Sequence, residues 1–474
     1  MSTRVLITHA YFLQLDPKQW KAGHAYPPLA TLTAAAYLRQ LGYEVFFHDL
    51  MFADSPAEIE QLMDEVSPDV FVVYDDGFNW VTKMCLTNMR NACFELIQSA
   101  KARNLPTIIS SSDSTDHYST YLEKGADFVI KGEAEESLAE LLAKIDHKES
   151  PLDVKGIWGK KTNGDVFNTP PRPVMRDLDQ LPQAAWDLLD ITPYKNMWHE
   201  KKGYFSLNVA TTRGCPFKCN WCAKPIYGNR YNSRSPEHVV AEIDYLNQHF
   251  QPDHLWFCDD IFGLKPGWVQ SFSAQMKAKN LKIPFKIQSR CDLVLKKDTA
   301  KALAEAGCDE VWLGAESGSQ KILDAMDKGI TVEEIYDARQ KLKAHGIRAA
   351  FFLQFGYLGE TKEDINLTFK MLEDLVPDEI GVSVAYPLPG TKFYEKVKND
   401  LSDKANWTDS DDLALMFRNN YEPSFYKKLH RYIHQFYQYT KFKQGNSKGF
   451  KGSLKGAYHG LAAAWYKRQL DLQH

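Results

Sequence analysis

Three cysteines, Cys215, Cys219 and Cys222, stand at Cys-x-x-x-Cys-x-x-Cys spacing in the stretch Thr211-Thr212-Arg213-Gly214-Cys215-Pro216-Phe217-Lys218-Cys219-Asn220-Trp221-Cys222. An apolar, strand-like run precedes them, and Gly214 and Pro216 supply the bend. Thiolates this close on a tight loop can converge on one metal centre. Four thiolates would close a zinc site or a four-iron cubane. Three leave one iron of a four-iron cluster open, where a small molecule can bind and receive an electron. The spacing favours that iron–sulfur reading, and it also admits a zinc site completed by a distant histidine, or three buried thiols without a metal.

Elements on either side must hold that loop. Over residues 1–148, strand-like runs (5–7, 43–48, 70–74, 107–110, 127–130) alternate with helical ones (29–41, 56–66, 84–102, 135–145). This alternation predicts a parallel, doubly wound sheet, whose ligands sit beyond the carboxyl ends of its strands. Residues 149–198, with Asn163-Gly164 as a hairpin turn and Pro170-Pro171-Arg172-Pro173 as a stiffener, read as a linker. From 199 to 395, strand-like runs at 204–209, 254–258, 286–289, 310–313, 349–352 and 380–384 alternate with helical ones. Six such units are too few for an eightfold barrel. Polar residues gather at their carboxyl ends: Asp259 and Asp260, Arg290, and Glu316 with Ser317.

The cysteine loop resembles the cluster loop of radical S-adenosylmethionine (SAM) enzymes. Downstream, Leu313-Gly314-Ala315-Glu316-Ser317-Gly318-Ser319 and Phe355-Gly356-Tyr357-Leu358-Gly359-Glu360-Thr361 resemble later elements of that family, with Leu358 where a proline is usual. Residues 1–148 are similar to the cobalamin-binding domain that precedes many radical SAM cores. Tyr26-Pro27-Pro28-Leu29-Ala30, Gly42-Tyr43-Glu44-Val45, Pro68-Asp69-Val70, Gly125-Ala126-Asp127-Phe128-Val129 and Gly132-Glu133 carry that likeness. Two features depart from it. The Asp-x-His-x-x-Gly signature of cobalt-ligating proteins is replaced by Tyr74-Asp75-Asp76-Gly77-Phe78-Asn79, and the usual glycine- and proline-rich loop reads Ser110-Ser111-Ser112-Asp113-Ser114.

The resemblance implies an α/β chain in four parts: a Rossmann-like cobalamin domain (1–148), a linker (149–198), a partial (β/α)6 radical SAM barrel (199–395) and a helical extension (396–474). It implies that Cys215, Cys219 and Cys222 hold a [4Fe–4S] cluster. Asp259 or Asp260 is expected at the amino group of SAM, Arg290 at its carboxylate, and Glu316 with Ser317 near its ribose and carboxylate. For cobalamin it points to Tyr11, Tyr74, Asp75, Asp76, Ser110, Ser111, Ser112, Gly132 and Glu133. His9, His24, His48 and His117 are expected as surface or loop histidines, and Cys258, Cys291 and Cys308 as buried thiols.

The branch in question includes the anaerobic magnesium-protoporphyrin ester cyclase and cobalamin-dependent methyltransferases. It implies reductive cleavage of SAM and modification of an unactivated carbon of a small hydrophobic metabolite. Methyl transfer is the expected outcome, with cyclisation or rearrangement as the alternative. An external electron donor such as flavodoxin or ferredoxin is the expected partner. A transfer RNA methylthiotransferase would carry a further cysteine trio upstream, whereas only Cys85 and Cys93 precede the loop. A corrinoid carrier or zinc scaffold would not need the row from Asp259 to Glu316.

Composition bounds these readings. With 474 residues, 44% apolar and 25% charged, the chain reads as a folded protein of two or three domains. A net charge of −4 gives no global argument for nucleic acid. No apolar run approaches the ~18–20 residues of a membrane span, no leader pattern opens the chain, and eight cysteines without a disulfide framework suggest the cytoplasm. From Tyr421 onward, ten Lys or Arg face two acidic residues, among twelve aromatics. Lys427, Lys428, Arg431, Lys441, Lys443, Lys448, Lys451, Lys455, Lys467 and Arg468 form that basic set. This tail either packs its aromatics onto the barrel or covers the barrel mouth or meets an anionic surface.

Overall fold

Runs that are apolar at every position become strands covered on both faces. In the computed structural model, which describes residues 2–79, 81–161, 163–224, 226–404, 406–445 and 450–471, five strands open the chain, and Val70–Tyr74 among them is apolar and buried throughout. They are β1 (Arg4–Thr8), β2 (Glu44–Phe47), β3 (Val70–Tyr74), β4 (Thr107–Ser110) and β5 (Phe128–Ile130). They pair in parallel in the order β2-β1-β3-β4-β5. The order reverses between β1 and β3, which is where a doubly wound sheet opens a crevice. Residues 157–168, expected within the linker, continue the same sheet as antiparallel β6 (Ile157–Lys160) and β7 (Val166–Asn168). Gly164, at φ +87°, makes the turn between them.

Contacts divide the chain into two compact units. The first comprises Met1–Pro216, Ala223–Phe285 and Asn406–Asp412, and the second Phe217–Cys222, Lys286–Ala405 and Leu413–His474. Beyond the seven-stranded sheet, the first unit contains β8 (Ser206–Val209) and a short ribbon of β9 (Thr212–Arg213) with β10 (Asn232–Ser233). It also holds β11 (His254–Phe257), which lies parallel to β8. The ribbon closes the base of the loop from which the cysteines project. The boundary falls inside β12 (Phe285–Ser289), and the second unit continues with β13 (Cys308–Glu316), β14 (Arg348–Phe355) and β15 (Glu379–Val384), paired in parallel. With the strand order β8-β11-β12-β13-β14-β15 and helices between, the fold class is the expected one, a doubly wound sheet and a partial barrel.

Local sequence starts two helices of the second unit. Thr331 with Glu334, and Thr361 with Asp364, form reciprocal capping boxes at Val332–Ala344 and Lys362–Leu375. The tail forms two helices, Pro423–Lys443 and Phe450–Asp471. Aromatics of the first pack inward: Tyr432 and Phe436 meet Phe369, and the Tyr437 hydroxyl donates to the Pro377 carbonyl at 2.8 Å. Lys448 and the side chain of Lys451 lie outside the described residues. Among the described residues, no helix is long and apolar enough to cross a membrane.

Candidate functional site

In the first unit, the approach to the cysteines is pinned by buried charge. Arg213, two residues before Cys215, donates from Nη1 to Glu133 and from Nη2 to Glu135, at 2.5 and 2.6 Å. All three side chains are buried, and Arg213 also lies 5.1 Å from the Tyr227 ring centroid. Burial opposes its charge, but the two carboxylates hold it charged; burial likewise pushes the Glu133 carboxyl up. Gly214 follows at φ +77°, and a Cβ there would stand 2.1 Å from the Arg230 carbonyl. Only glycine fits this turn.

Asp259 is buried at the end of β11, and Asp260 is exposed. The Asp259 carboxylate accepts the Thr211 and Thr212 amides at 2.7 and 2.9 Å, and also the Thr211 hydroxyl. Burial pushes its carboxyl up to about 6, against those hydrogen bonds. Asp260 pairs with Lys83. The inward carboxylate is therefore already engaged with the backbone that leads into the cysteine loop.

In the second unit, the rest of the loop is gripped residue by residue. Phe217 lies under Arg290, whose guanidinium carbon sits 3.8 Å from the ring centroid. The same guanidinium donates to the carbonyls of Lys328 and Gly329 and to Asp292. Asn220, between the second and third cysteines, donates to the Ala325 carbonyl at 2.7 Å and accepts the Tyr357 hydroxyl at 2.6 Å. Its amide donates to the Met326 carbonyl, and its carbonyl accepts the Phe393 amide.

Glu316 is buried at the end of β13, at φ +59°, where the register with β14 shifts. An L-residue held in this region marks local strain of the kind found at ligand sites. Its carboxylate accepts the buried Lys328 ammonium at 2.6 Å. Burial lowers the Lys328 affinity for its proton, but Glu316, with Cys219 adding, outweighs it and leaves the group raised. Ser317 is buried and bonds Thr368 and the Ser319 amide.

Cys215, Cys219 and Cys222 are half-buried, while the other five cysteines are buried and free. Burial pushes the Cys258 and Cys308 thiols well up, and that of Cys291 up to about 12. These three are buried free thiols, as expected. Among the described residues, no trio of His, Cys, Asp or Glu converges closely enough for a single metal ion. The loop offers thiols, and the Lys328 ammonium acts on Cys219; thiol donors beside a cation fit an iron–sulfur group.

The cobalamin candidates divide. Asp75 accepts the Ala10 amide at 2.7 Å, which ties the end of β3 to the end of β1. The cavity there, lined by Tyr11, Asp75 and Asp113 among others, measures about 10 Å3, room for about one water. Asp76 caps the helix Leu29–Gln40 through the Ala30 amide, and the Tyr74 carbonyl accepts the Thr31 hydroxyl. Ser111 and Ser114 cap each other, while Glu133 is held by Arg213. Gly132, at φ +80°, lies 3.4 Å from the Ile226 carbonyl when a Cβ is added. Ser112, just past Ser110 on β4, differs: its buried hydroxyl has no partner among the described residues. That unpaired hydroxyl is what fits a polar ligand such as a nucleotide tail. His9 lies in the loop after β1, one of the two expected settings, and there it is fully buried and bridges Asp49 and the Tyr11 amide.

Sequence reading missed Lys328, Tyr357 and the structural work of Asn220 and Arg213. A polar asparagine inside the thiol motif was the one visible signal for Asn220; the others depend on contacts distant in sequence.

Residues 209–372 match the family described as the radical SAM superfamily. An uncharacterised methyltransferase of Pyrococcus horikoshii is 34% identical over 285 residues, covering 59% of this chain and 60% of the relative. The anaerobic magnesium-protoporphyrin IX monomethyl ester cyclase of Rubrivivax gelatinosus is 27% identical, covering 78% of this chain and 66% of that enzyme. The chain thus spans about 60% and 66% of the lengths of these two relatives. The solved structure of the cobalamin-dependent SAM radical enzyme OxsB, with aqua-cobalamin and SAM bound, superposes with a TM-score of 0.77. It covers 98% of this chain and 72% of OxsB at 16% identity, a likeness of fold.

Proposed function

This chain carries a radical SAM domain over residues 209–372, and on that premise we propose that it is a cobalamin-dependent enzyme that cleaves SAM reductively and methylates an unactivated carbon of a small hydrophobic metabolite. The observation that carries the reading is the contrast among eight cysteines: the three on the loop are half-buried, and the other five are sealed in the core. Cys215, Cys219 and Cys222 would hold the [4Fe–4S] cluster. When bound, the cluster with SAM supplies a hydrogen-abstracting radical, and the corrinoid supplies a methyl group.

The chain's own residues place these groups. Asp259 and Arg213 fix the strand that enters the loop, and Arg290 and Asn220 fix the part that leaves it. Lys328 and Glu316 would meet the charged end of SAM, the ammonium facing its carboxylate and the carboxylate its ammonium or ribose. Ser112, with Ser110 and Ser111 beside it, would hold the cobalamin tail. The P. horikoshii methyltransferase and the R. gelatinosus cyclase support the two outcomes, methyl transfer and ring formation. A cytoplasmic setting and a flavodoxin- or ferredoxin-type reductant belong to the same reading.

Anaerobic reconstitution with iron, sulfide and cobalamin, followed by mass spectrometry with host extract, tests it. Methyl transfer yields S-adenosylhomocysteine together with 5′-deoxyadenosine; ring formation or rearrangement yields 5′-deoxyadenosine alone. A chain that takes up no iron, or one that cleaves no SAM, would sink the proposal.

A further inference from the structure

The second tail helix, Phe450–Asp471, has two dissimilar faces. Gly456 and Gly460 turn inward: a Cβ at either would stand 2.3 or 2.9 Å from the Phe442 or Tyr439 ring of the first tail helix. Glycines four apart let the two helices approach closely, and they fix which side of Phe450–Asp471 looks out. That outer side carries Tyr458, Leu461 and Trp465, which are 62, 75 and 57% exposed and exceed every other exposed large apolar side chain among the described residues. At steps of three and four they share one stripe. Exposed Arg468 borders it, exposed Lys455 and Lys467 lie further round the same helix, and between residues 450 and 470 the sequence has no acidic residue.

An aromatic and aliphatic stripe with cations and no anions is the pattern of a helix that lies in a membrane interface. Tyrosine and tryptophan suit the headgroup level, and the basic heads suit an anionic leaflet. A second copy of this chain would bring its own cations against these, so charge disfavours that occupant. We infer that the outer face of Phe450–Asp471 docks the protein on an anionic lipid bilayer. The overall net charge of −4 is no obstacle, because the cations are local to this helix. The inference stands apart from the catalytic reading, and it applies to the chain with or without cofactors.

Co-sedimentation of the full chain with sucrose-loaded vesicles tests it. The chain should pellet with phosphatidylcholine–phosphatidylglycerol vesicles and release at high salt, with little binding to phosphatidylcholine alone. Replacing Tyr458, Leu461 and Trp465 together by serine, or Lys455, Lys467 and Arg468 together by glutamine, should lower partitioning at least about tenfold. The difference in emission between the parent and Trp465→Phe should shift to the blue on vesicles, a readout that needs no destabilising change. Absence of parent binding, or triple variants that bind as well as the parent, would overturn the inference. So would a parent dimer that the serine variant converts to monomer, since a second copy would then cover this face.

Discussion

The Tyr357 hydroxyl donates to Asn220 Oδ1 at 2.6 Å across 137 positions of sequence. It locks the residue between Cys219 and Cys222 to the loop after β14. Asn220 is buried, so deleting its side chain removes this bond and its own bond to the Ala325 carbonyl, and leaves the Tyr357 hydroxyl only that carbonyl, 2.9 Å away. Asn220→Ala should cost about 2–3 kcal/mol, and Tyr357→Phe about 1 kcal/mol, in chemical denaturation. Both should bind less iron on reconstitution, with Asn220→Ala the poorer. Full iron retention by Asn220→Ala would remove Asn220 from the loop's support.

Arg213 is the only cation hydrogen-bonded by both Glu133 and Glu135 among the described residues. Arg213→Met leaves two carboxylates buried against each other, and should cost about 3–5 kcal/mol. Arg213→Lys should rescue little, because a single ammonium does not span two carboxylates as a guanidinium fork does. Hydrogen exchange on the apoprotein should show faster amides at residues 211–215 in both variants. A core change of equal cost such as Leu96→Ala should leave those amides slower.

Asp259 has its carboxylate occupied by Thr211 and Thr212, which predicts a positioning role. Asp259→Asn should lower stability by about 1 kcal/mol and leave SAM affinity within about twofold in equilibrium binding. A direct bond to the SAM ammonium would instead lower that affinity more than about tenfold.

Glu360 is fully buried; one carboxylate oxygen accepts the Gly356 amide at 2.7 Å and the other has no partner among the described residues. Burial pushes its carboxyl up to about 8 from an ordinary 4.5. The folded state therefore holds a proton that the unfolded chain releases, and stability falls as pH rises from about 4.5 to about 8. Glu360→Gln mimics the protonated form. It should flatten that slope and stabilise the protein at pH 8 by about 1–3 kcal/mol. Thermal melts across this range check it, and parallel slopes for parent and variant would refute it.

Much of the fold was legible because its signals are local. Apolar runs such as Val70–Tyr74 and the Gly42 and Asn163-Gly164 breaks act within a few residues of themselves. Six strand–helix units and the thiol spacing followed from the same short-range patterns. The linker was harder: β6 and β7 look like an isolated hairpin until β5 offers them an edge.

The amino-acid sequence by itself determined the thiol loop, the alternation of strands and helices, and the basic, aromatic character of the tail. Spacing and periodicity are properties of neighbouring residues, so no tertiary contact was needed to read them. Only the tertiary structure decided that Asp259 turns in while Asp260 turns out, because strand register sets that choice. It also joined Glu316 to Lys328, across the helix Gln320–Ala325, and Arg213 to Glu133, 80 residues apart, through packing that no local pattern encodes. The same holds for the tail, where two helix-packing glycines decide that Tyr458, Leu461 and Trp465 face outward.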